Sequence, residues 1–144
     1  MSPLSPARIV ACDDHAHITC TLDMTLRKAG FEVETYPSGE LAWESIQREA
    51  PSLIITDCQM PGGMDGLQLC RLIRRDSRFA QIPILLLTSK EYELSEKLLQ
   101  RDLGISAMIG KPFSPSIPPG IWQSVMTNEG ASRWIDSQAS SPLG

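Results

Sequence analysis

Short apolar runs alternate with longer segments of helical periodicity along most of the chain. Four apolar runs predict buried strands of a parallel sheet, at residues 8–12, 53–56, 84–87 and 107–109. Phe31–Tyr36 alternates apolar with polar residues and predicts a half-exposed edge strand. Apolar residues recur at helical spacing in residues 15–29, 39–49, 67–75 and 91–103. Repeated strand–helix units predict an α/β fold whose five-stranded sheet carries helices on both faces.

Local signals mark the ends of these elements and of the domain. Gly30 predicts the C-terminal cap of the first helix, and Ser38 the N-cap of the second. Prolines crowd the chain after residue 111, so a last helix has to begin near Pro119. From Thr127 onward the residues are mostly polar. We therefore expect one domain over residues 7–126 and a polar C-terminal tail over residues 127–144.

Polar residues of complementary chemistry follow the apolar runs. In chain order they are Asp13 with Asp14, then Asp57, then Thr88 with Ser89, then Lys111. Because the carboxyl ends of parallel strands lie along one edge of a sheet, these side chains are expected to meet in one crevice. Three carboxylates, a hydroxyl and an ammonium group predict a site that holds a divalent cation together with a phosphoryl group.

Asp57 is the predicted nucleophile of this site, because a carboxylate in a prepared environment can form an acyl phosphate. Carboxylates that crowd together repel one another unless a cation compensates, and Mg²⁺ takes oxygen ligands while keeping waters and a phosphate oxygen. Asp13 and Asp14 would supply ligands or water contacts. Lys111 would face the phosphoryl oxygens, and Thr88 would donate a hydrogen bond to them.

Each residue also has an ordinary structural explanation. Asp14 and Ser89 both stand where a helix N-cap is expected. Taken alone, Lys111 suits a solvated surface and Asp57 suits a loop. The combined site is the favoured interpretation, because four ordinary explanations would have to coincide at successive strand ends.

Length and net charge give no sign of a nucleic-acid-binding or membrane-binding protein. The chain has 144 residues and a net charge of −4, which favours one domain and gives no general attraction to nucleic acid or acidic membranes. No apolar run approaches the ~20 residues that span a bilayer, and residues 1–6 lack signal-peptide features, so we expect a cytoplasmic protein.

Four cysteines form no C-x-x-C pair, so reduced thiols acting as small buried apolar groups are expected: Cys12, Cys20, Cys58 and Cys70.

Together these segments resemble the receiver domain of two-component response regulators. The resemblance covers roughly residues 7–126 and is carried by Val10–Asp14, Ile54–Pro61, Met64–Gly66, Leu86–Ser89 and Lys111–Phe113. It implies a flavodoxin-like, doubly wound sheet with strand order 2-1-3-4-5 and a site at the switch between strands 1 and 3.

The resemblance also implies a role for each site residue. Asp57 would accept a phosphoryl group from a histidine kinase or a phosphotransfer protein. Mg²⁺ would be held by Asp13, Asp14, Asp57 and the backbone carbonyl of Gln59. Thr88 would report phosphorylation, and Lys111 would pair with the phosphate. In the family the peptide bond between Lys111 and Pro112 is typically cis.

Three features depart from the family pattern. The loop over residues 61–66 has one residue more than the commonest form. Met108 stands where the family usually has Tyr or Phe, three residues before the lysine. The last helix is interrupted by prolines. We therefore expect intact phosphorylation chemistry with an altered signalling surface.

The sequence thus predicts a phosphoacceptor that signals by contact with an unidentified downstream protein, without binding nucleic acid or membrane. It is a signalling domain rather than an enzyme, apart from limited self-catalysed phosphorylation and dephosphorylation. It is either a stand-alone regulator or a module of a longer chain. Two alternatives are an Mg²⁺-dependent phosphatase or phosphotransferase with an Asp nucleophile, and a pseudo-receiver that binds partners without phosphorylation.

Overall fold

A computed structural model describes residues 7–58, 60, 63–88 and 101–110. Its strands are β1 (Arg8–Cys12), β2 (Glu32–Tyr36), β3 (Leu53–Asp57), β4 (Ile84–Thr88) and β5 (Ala107–Gly110), and its helices are α1 (Ala16–Lys28), α2 (Gly39–Arg48) and α3 (Gly66–Arg75). Residues 101–103 are helical, as the end of the predicted fourth helix requires. The rest of that helix, the predicted last helix and the tail lie outside the described residues.

All five strands form one parallel sheet in the order β2-β1-β3-β4-β5, which confirms the predicted topology. β1 lies between the edge strand β2 and the central strand β3, with Cys12 paired in register to Tyr36 on one side and Thr56 on the other. The strand order therefore changes direction at β1 and β3. In doubly wound sheets this switch point is where ligands bind.

Both faces of the sheet are covered by helices, which explains the unbroken apolar runs of the central strands. Every residue of β1 and β3 is buried. One face packs against α1, in a cluster that includes Ile9, Ala11, Ile18, Leu22, Leu26 and Ile55. The other packs against α2 and α3, in a cluster that includes Val10, Cys12, Ala42, Ile46, Ile54, Leu69 and Ile73. Successive residues of a strand thus enter opposite cores.

The predicted helix-end signals at Ser38 and Gly30 are present, and α3 has a further one that the sequence analysis did not predict. Ser38 Oγ accepts a hydrogen bond from the Leu41 backbone N–H at 3.3 Å, and Gly30 adopts a positive φ of 98° just after α1. α3 begins at Gly66, one residue earlier than predicted, because Asp65 forms a capping box with Gln68. This box fixes the start of the helix that follows the loop after β3.

Candidate functional site

The site lies at the carboxyl ends of β1 and β3, as predicted. Asp13 follows β1 directly, and Asp57 is the last residue of β3 rather than a loop residue. Cys12 pairs with Thr56 in register. Asp13 follows Cys12 and Asp57 follows Thr56, so the two acids occupy matching positions at the ends of neighbouring strands. Neighbouring strands lie about 4.8 Å apart, so the two acids stand side by side at the switch point.

Four side chains converge at this edge: Asp13, Asp14, His15 and Asp57. Each offers one ligand atom, and all four atoms lie within 4.8 Å of one another. Asp13 and Asp57 are 1% and 4% exposed, whereas the Asp14 side chain is 27% exposed. Burying carboxylates side by side is costly unless positive charge compensates. The group of carboxylates is open to solvent on the side of Asp14.

His15 is the member of this group that the sequence did not predict. Its Nδ1 lies 3.0 Å from Asp13 Oδ1 and 3.2 Å from Asp14 Oδ1, and its backbone N–H donates to Asp13 Oδ1 at 2.9 Å. His15, not Asp14, is the N-cap of α1, and no side chain caps this helix. The alternative in which Asp14 serves as a helix cap is therefore not observed. The only sequence signal was the adjacency of His15 to two acids.

The backbone around Asp57 is held on three sides. Thr56 Oγ1 donates to the Asp57 carbonyl at 3.1 Å, and the Cys58 N–H donates to the Leu87 carbonyl on β4 at 2.9 Å. The Gly66 N–H donates to the Cys58 carbonyl at 3.1 Å, which ties the start of α3 to the end of β3. Asp57 is therefore presented from a rigid strand end, as a reacting group requires.

Thr88 reaches the same edge from β4. Asp57 is in register with Leu87 on β4, and Thr88, the next residue, is half-buried and in register with Gly110 on β5. Lys111 follows Gly110 directly in the chain. Lys111, Gln59, Ser89 and the bond to Pro112 lie outside the described residues, so their predicted roles stay predictions.

The loop that leads into α3 is anchored to α2. Glu40 Oε2 accepts a hydrogen bond from the Met64 N–H at 2.9 Å, and this bond holds the pKa of Glu40 below its ordinary value. A Cβ at Gly63 would lie 2.5 Å from the same carboxylate oxygen. The described part of the loop therefore packs closely on the first turn of α2.

The thiols beside the site are structural. Burial raises the pKa of Cys12 to about 12, so the thiol is protonated at neutral pH and its Sγ donates to Met60 Sδ at 3.3 Å. Cys12, Cys58 and Cys70 are buried and free, as predicted. The prediction was wrong for Cys20, which is exposed because it lies on the outer side of α1, two residues beyond the buried Ile18.

The donor set fits a hard divalent cation. Asp13, Asp14 and Asp57 supply carboxylate oxygens, which Mg²⁺ prefers. The partly exposed side of Asp14 leaves room for the waters that Mg²⁺ keeps in its shell.

None of the helices in the described part of the chain has the length and hydrophobicity needed to cross a bilayer.

Residues 9–117 match the family model of the response regulator receiver domain. Among curated proteins, the chain is 35% identical over 108 residues to the alkaline phosphatase synthesis transcriptional regulatory protein PhoP of Bacillus subtilis. That match covers 75% of this chain and 43% of PhoP, so the chain spans less than half the length of this relative.

Solved structures of high similarity have the same fold. The Vibrio cholerae chemotaxis protein CheY4 is 31% identical with a TM-score of 0.75, over 84% of this chain and 99% of CheY4. The N-terminal domain of a response regulator receiver protein from Methanoculleus marisnigri is 29% identical with a TM-score of 0.66, over 75% of this chain and 86% of that domain.

Proposed function

The chain belongs to the family of response regulator receiver domains of two-component systems, and we propose that Asp57 is its phosphoacceptor. The observation that carries this assignment is the position of Asp57 at the end of β3, 4% exposed and within reach of Asp13 and Asp14. The acidic group as a whole fits the phosphoacceptor site of such a domain. Of its acids, Asp57 is the one on the central strand, and the backbone of the next residue, Cys58, is hydrogen-bonded to β4 and to the start of α3.

The proposed reaction is phosphoryl transfer to a carboxylate. An oxygen of Asp57 attacks the phosphorus of a phosphohistidine on a histidine kinase or phosphotransfer protein. The P–N bond breaks, its electron pair stays on the imidazole nitrogen, and that nitrogen takes up a proton. The product is an acyl phosphate on Asp57, in keeping with the general use of aspartate as a covalent nucleophile.

Asp13, Asp14, Asp57 and the Gln59 carbonyl are the proposed ligands of Mg²⁺. When bound, Mg²⁺ offsets the charge that accumulates on the carboxylates and the incoming phosphoryl oxygens. Asp13 is supported in this role because its ligand atom lies within 4.8 Å of those of Asp14 and Asp57. Thr88 would donate its hydroxyl to a phosphoryl oxygen, and Lys111 would contribute the fixed positive charge.

Receiver domains interact with histidine kinases, and we propose that this chain passes its state on by contact with a downstream protein. The net charge of −4 gives no general attraction to nucleic acid, which supports output through protein contact. The proposed domain spans residues 7–126, with the remaining residues as a tail. A cytoplasmic location, where kinase and phosphodonor meet, belongs to the same proposal.

Counting turnovers separates this function from the phosphatase alternative. The protein is incubated with Mg²⁺ and either acetyl phosphate or p-nitrophenyl phosphate, and bound phosphoryl groups and released p-nitrophenol are both measured. A receiver takes up one phosphoryl group per chain from acetyl phosphate and releases no more p-nitrophenol than a protein-free control. Sustained, multiple-turnover release of p-nitrophenol would favour the enzyme. Failure to take up any phosphoryl group, in a folded protein that binds Mg²⁺, would favour the pseudo-receiver.

A further inference from the structure

We propose that His15 supplies an imidazole nitrogen to the cation site, so that the site binds later first-row transition cations such as Co²⁺ more tightly than its carboxylates alone allow. The inference rests on the proposed function, because it concerns the same carboxylates. It goes beyond that function in assigning a ligand that neither the family pattern nor the sequence indicated.

The spacing of the donor atoms suits a shared cation. With metal–ligand bonds of about 2.1 Å, neighbouring ligands of an octahedral shell lie roughly 3.0 Å apart. His15 Nδ1 lies 3.0 Å from Asp13 Oδ1 and 3.2 Å from Asp14 Oδ1. The nitrogen therefore stands in the relation to both carboxylates that neighbouring ligands of one cation have.

The local backbone directs the imidazole into this group. His15 occupies the N-cap of α1, yet its side chain makes no capping hydrogen bond to the helix. Its backbone N–H instead donates to Asp13 Oδ1 at 2.9 Å, and its ring Nδ1 contacts the same oxygen. The backbone and the ring of His15 therefore both lie against Asp13. The side chain is 53% exposed, so the ring lies on the solvent-facing side of the group.

The chemistry of the donor determines which cations benefit. Mg²⁺ is a hard cation that takes oxygen ligands, whereas imidazole nitrogen is a favoured ligand of the later first-row divalent ions. Coordination uses the lone pair of Nδ1, which is unprotonated when it binds a cation. Nδ1 coordination therefore exchanges a hydrogen bond for a metal bond without removing a carboxylate from the site.

His17 provides a matched control. It lies on the same turn of the chain, it is exposed, and its ring centroid is 5.7 Å from that of His15. It does not belong to the group of four residues whose ligand atoms converge. Removing His17 therefore changes the local histidine content without removing the proposed ligand.

The test compares cations in the wild type, His15→Ala and His17→Ala, with folding checked by circular dichroism. Calorimetric titration should show that His15→Ala weakens Co²⁺ binding by at least about tenfold, as expected for the loss of a metal-site partner. The affinity of this variant for Mg²⁺ should be unchanged or higher. Pulsed EPR of the Mn²⁺-loaded protein should show imidazole ¹⁴N coupling in the wild type and His17→Ala, and none in His15→Ala.

An unchanged ratio of Co²⁺ to Mg²⁺ affinity in His15→Ala, or Mn²⁺ spectra without ¹⁴N coupling in the wild type, would overturn the proposal and leave His15 as a hydrogen-bond partner of the acids. Mass spectrometry of the same wild-type sample with acetyl phosphate separates failure of the His15 assignment from failure of the proposed phosphoacceptor function. If Asp57 is still phosphorylated with Mg²⁺, the proposed function stands while the His15 assignment falls. If no phosphorylation occurs, the proposed function fails separately.

Discussion

The backbone carbonyl of Asp57 lies directly against the Cα of Gly66, with no room for a side chain between them. The Gly66 N–H donates to the carbonyl of the next residue, Cys58, at 3.1 Å. The first residue of α3 is thereby packed on the strand end that carries the proposed phosphoacceptor. A shift of the Asp57 backbone would pass straight to the start of this helix.

Gly66→Ala should disrupt this contact. An added Cβ would overlap the Asp57 carbonyl oxygen, and the Asp57 carbonyl carbon would also lie too close, at 2.8 Å. Overpacking of this kind costs about 1–3 kcal/mol, occasionally more. The free energy of unfolding, measured by urea denaturation, should therefore fall by at least about 1 kcal/mol.

Asp65→Ala is the control for Gly66→Ala, because it removes the α3 capping box without a collision. It should cost about 1 kcal/mol and leave phosphoryl acceptance from acetyl phosphate intact. Gly66→Ala should slow acceptance as well as lower stability. If it proves as stable and as reactive as the wild type, the close packing of Gly66 on Asp57 is wrong.

Mg²⁺ should stabilise the unphosphorylated protein. Asp13, Asp14 and Asp57 repel one another when no cation is bound, and a ligand of the folded state raises stability by mass action. At a concentration ten times its dissociation constant, Mg²⁺ should add about 1.4 kcal/mol and raise the melting temperature. Asp14→Ala should show no such shift in the same thermal scan. An equal shift in both proteins would exclude Asp14 from the site.

Stability at acid pH should depend on Glu34. Its pKa is lowered from an ordinary value of 4.5, first by the hydrogen bond from the Tyr36 hydroxyl and then by the one from Arg8 Nη2 at 2.9 Å. A carboxyl whose pKa is lower in the folded state contributes stability above its unfolded pKa and loses it as pH falls through the folded value. This contribution should therefore be present above about pH 4.5 and be lost progressively as the pH falls from there through the lowered pKa of the folded state.

Glu34→Gln should flatten the acid limb of the stability curve, measured by urea unfolding between neutral pH and the acid range. Glu32→Gln is the matched control, because Glu32 is exposed on the same strand. The two variants should differ mainly in the acid limb. Identical curves for both would show that the network of Arg8 and Glu34 does not stabilise the folded state.

Met108 should weaken transmission of the phosphorylated state. It is 8% exposed and in register with Leu86 on β4. The resemblance implies that an aromatic ring at this position would change place on phosphorylation, whereas a flexible methionine fits both states with little preference. Because a ligand shifts an equilibrium only by its differential affinity, the response around β5 should be small.

Amide exchange with and without beryllofluoride tests the role of Met108. Protection should change near Asp57 but little in residues 101–110, and Met108→Tyr should enlarge the change in residues 101–110. Changes in the wild type that are as large there as those near Asp57 would show that methionine transmits the switch efficiently.

The sheet was predictable because its central strands are buried on both faces, which leaves continuous apolar runs that end in polar residues. The placement of Asp13 and Asp57 at one edge follows from that topology alone. The contact of His15 with the two acids was not predictable, since it depends on which way one side chain turns at the start of α1. The Asp65–Gln68 capping box was readable from the sequence, and including it would have placed the start of α3 correctly.

We propose that Asp57 alone accepts the phosphoryl group. Intact-mass spectrometry after incubation with acetyl phosphate and Mg²⁺ tests it, in the wild type, Asp57→Asn and Asp65→Asn, which changes the N-cap residue of α3 and serves as the control. The wild type and Asp65→Asn should each gain one phosphoryl group, and Asp57→Asn should gain none while remaining folded. Undiminished labelling of Asp57→Asn would contradict the assignment and place the acceptor elsewhere in the chain.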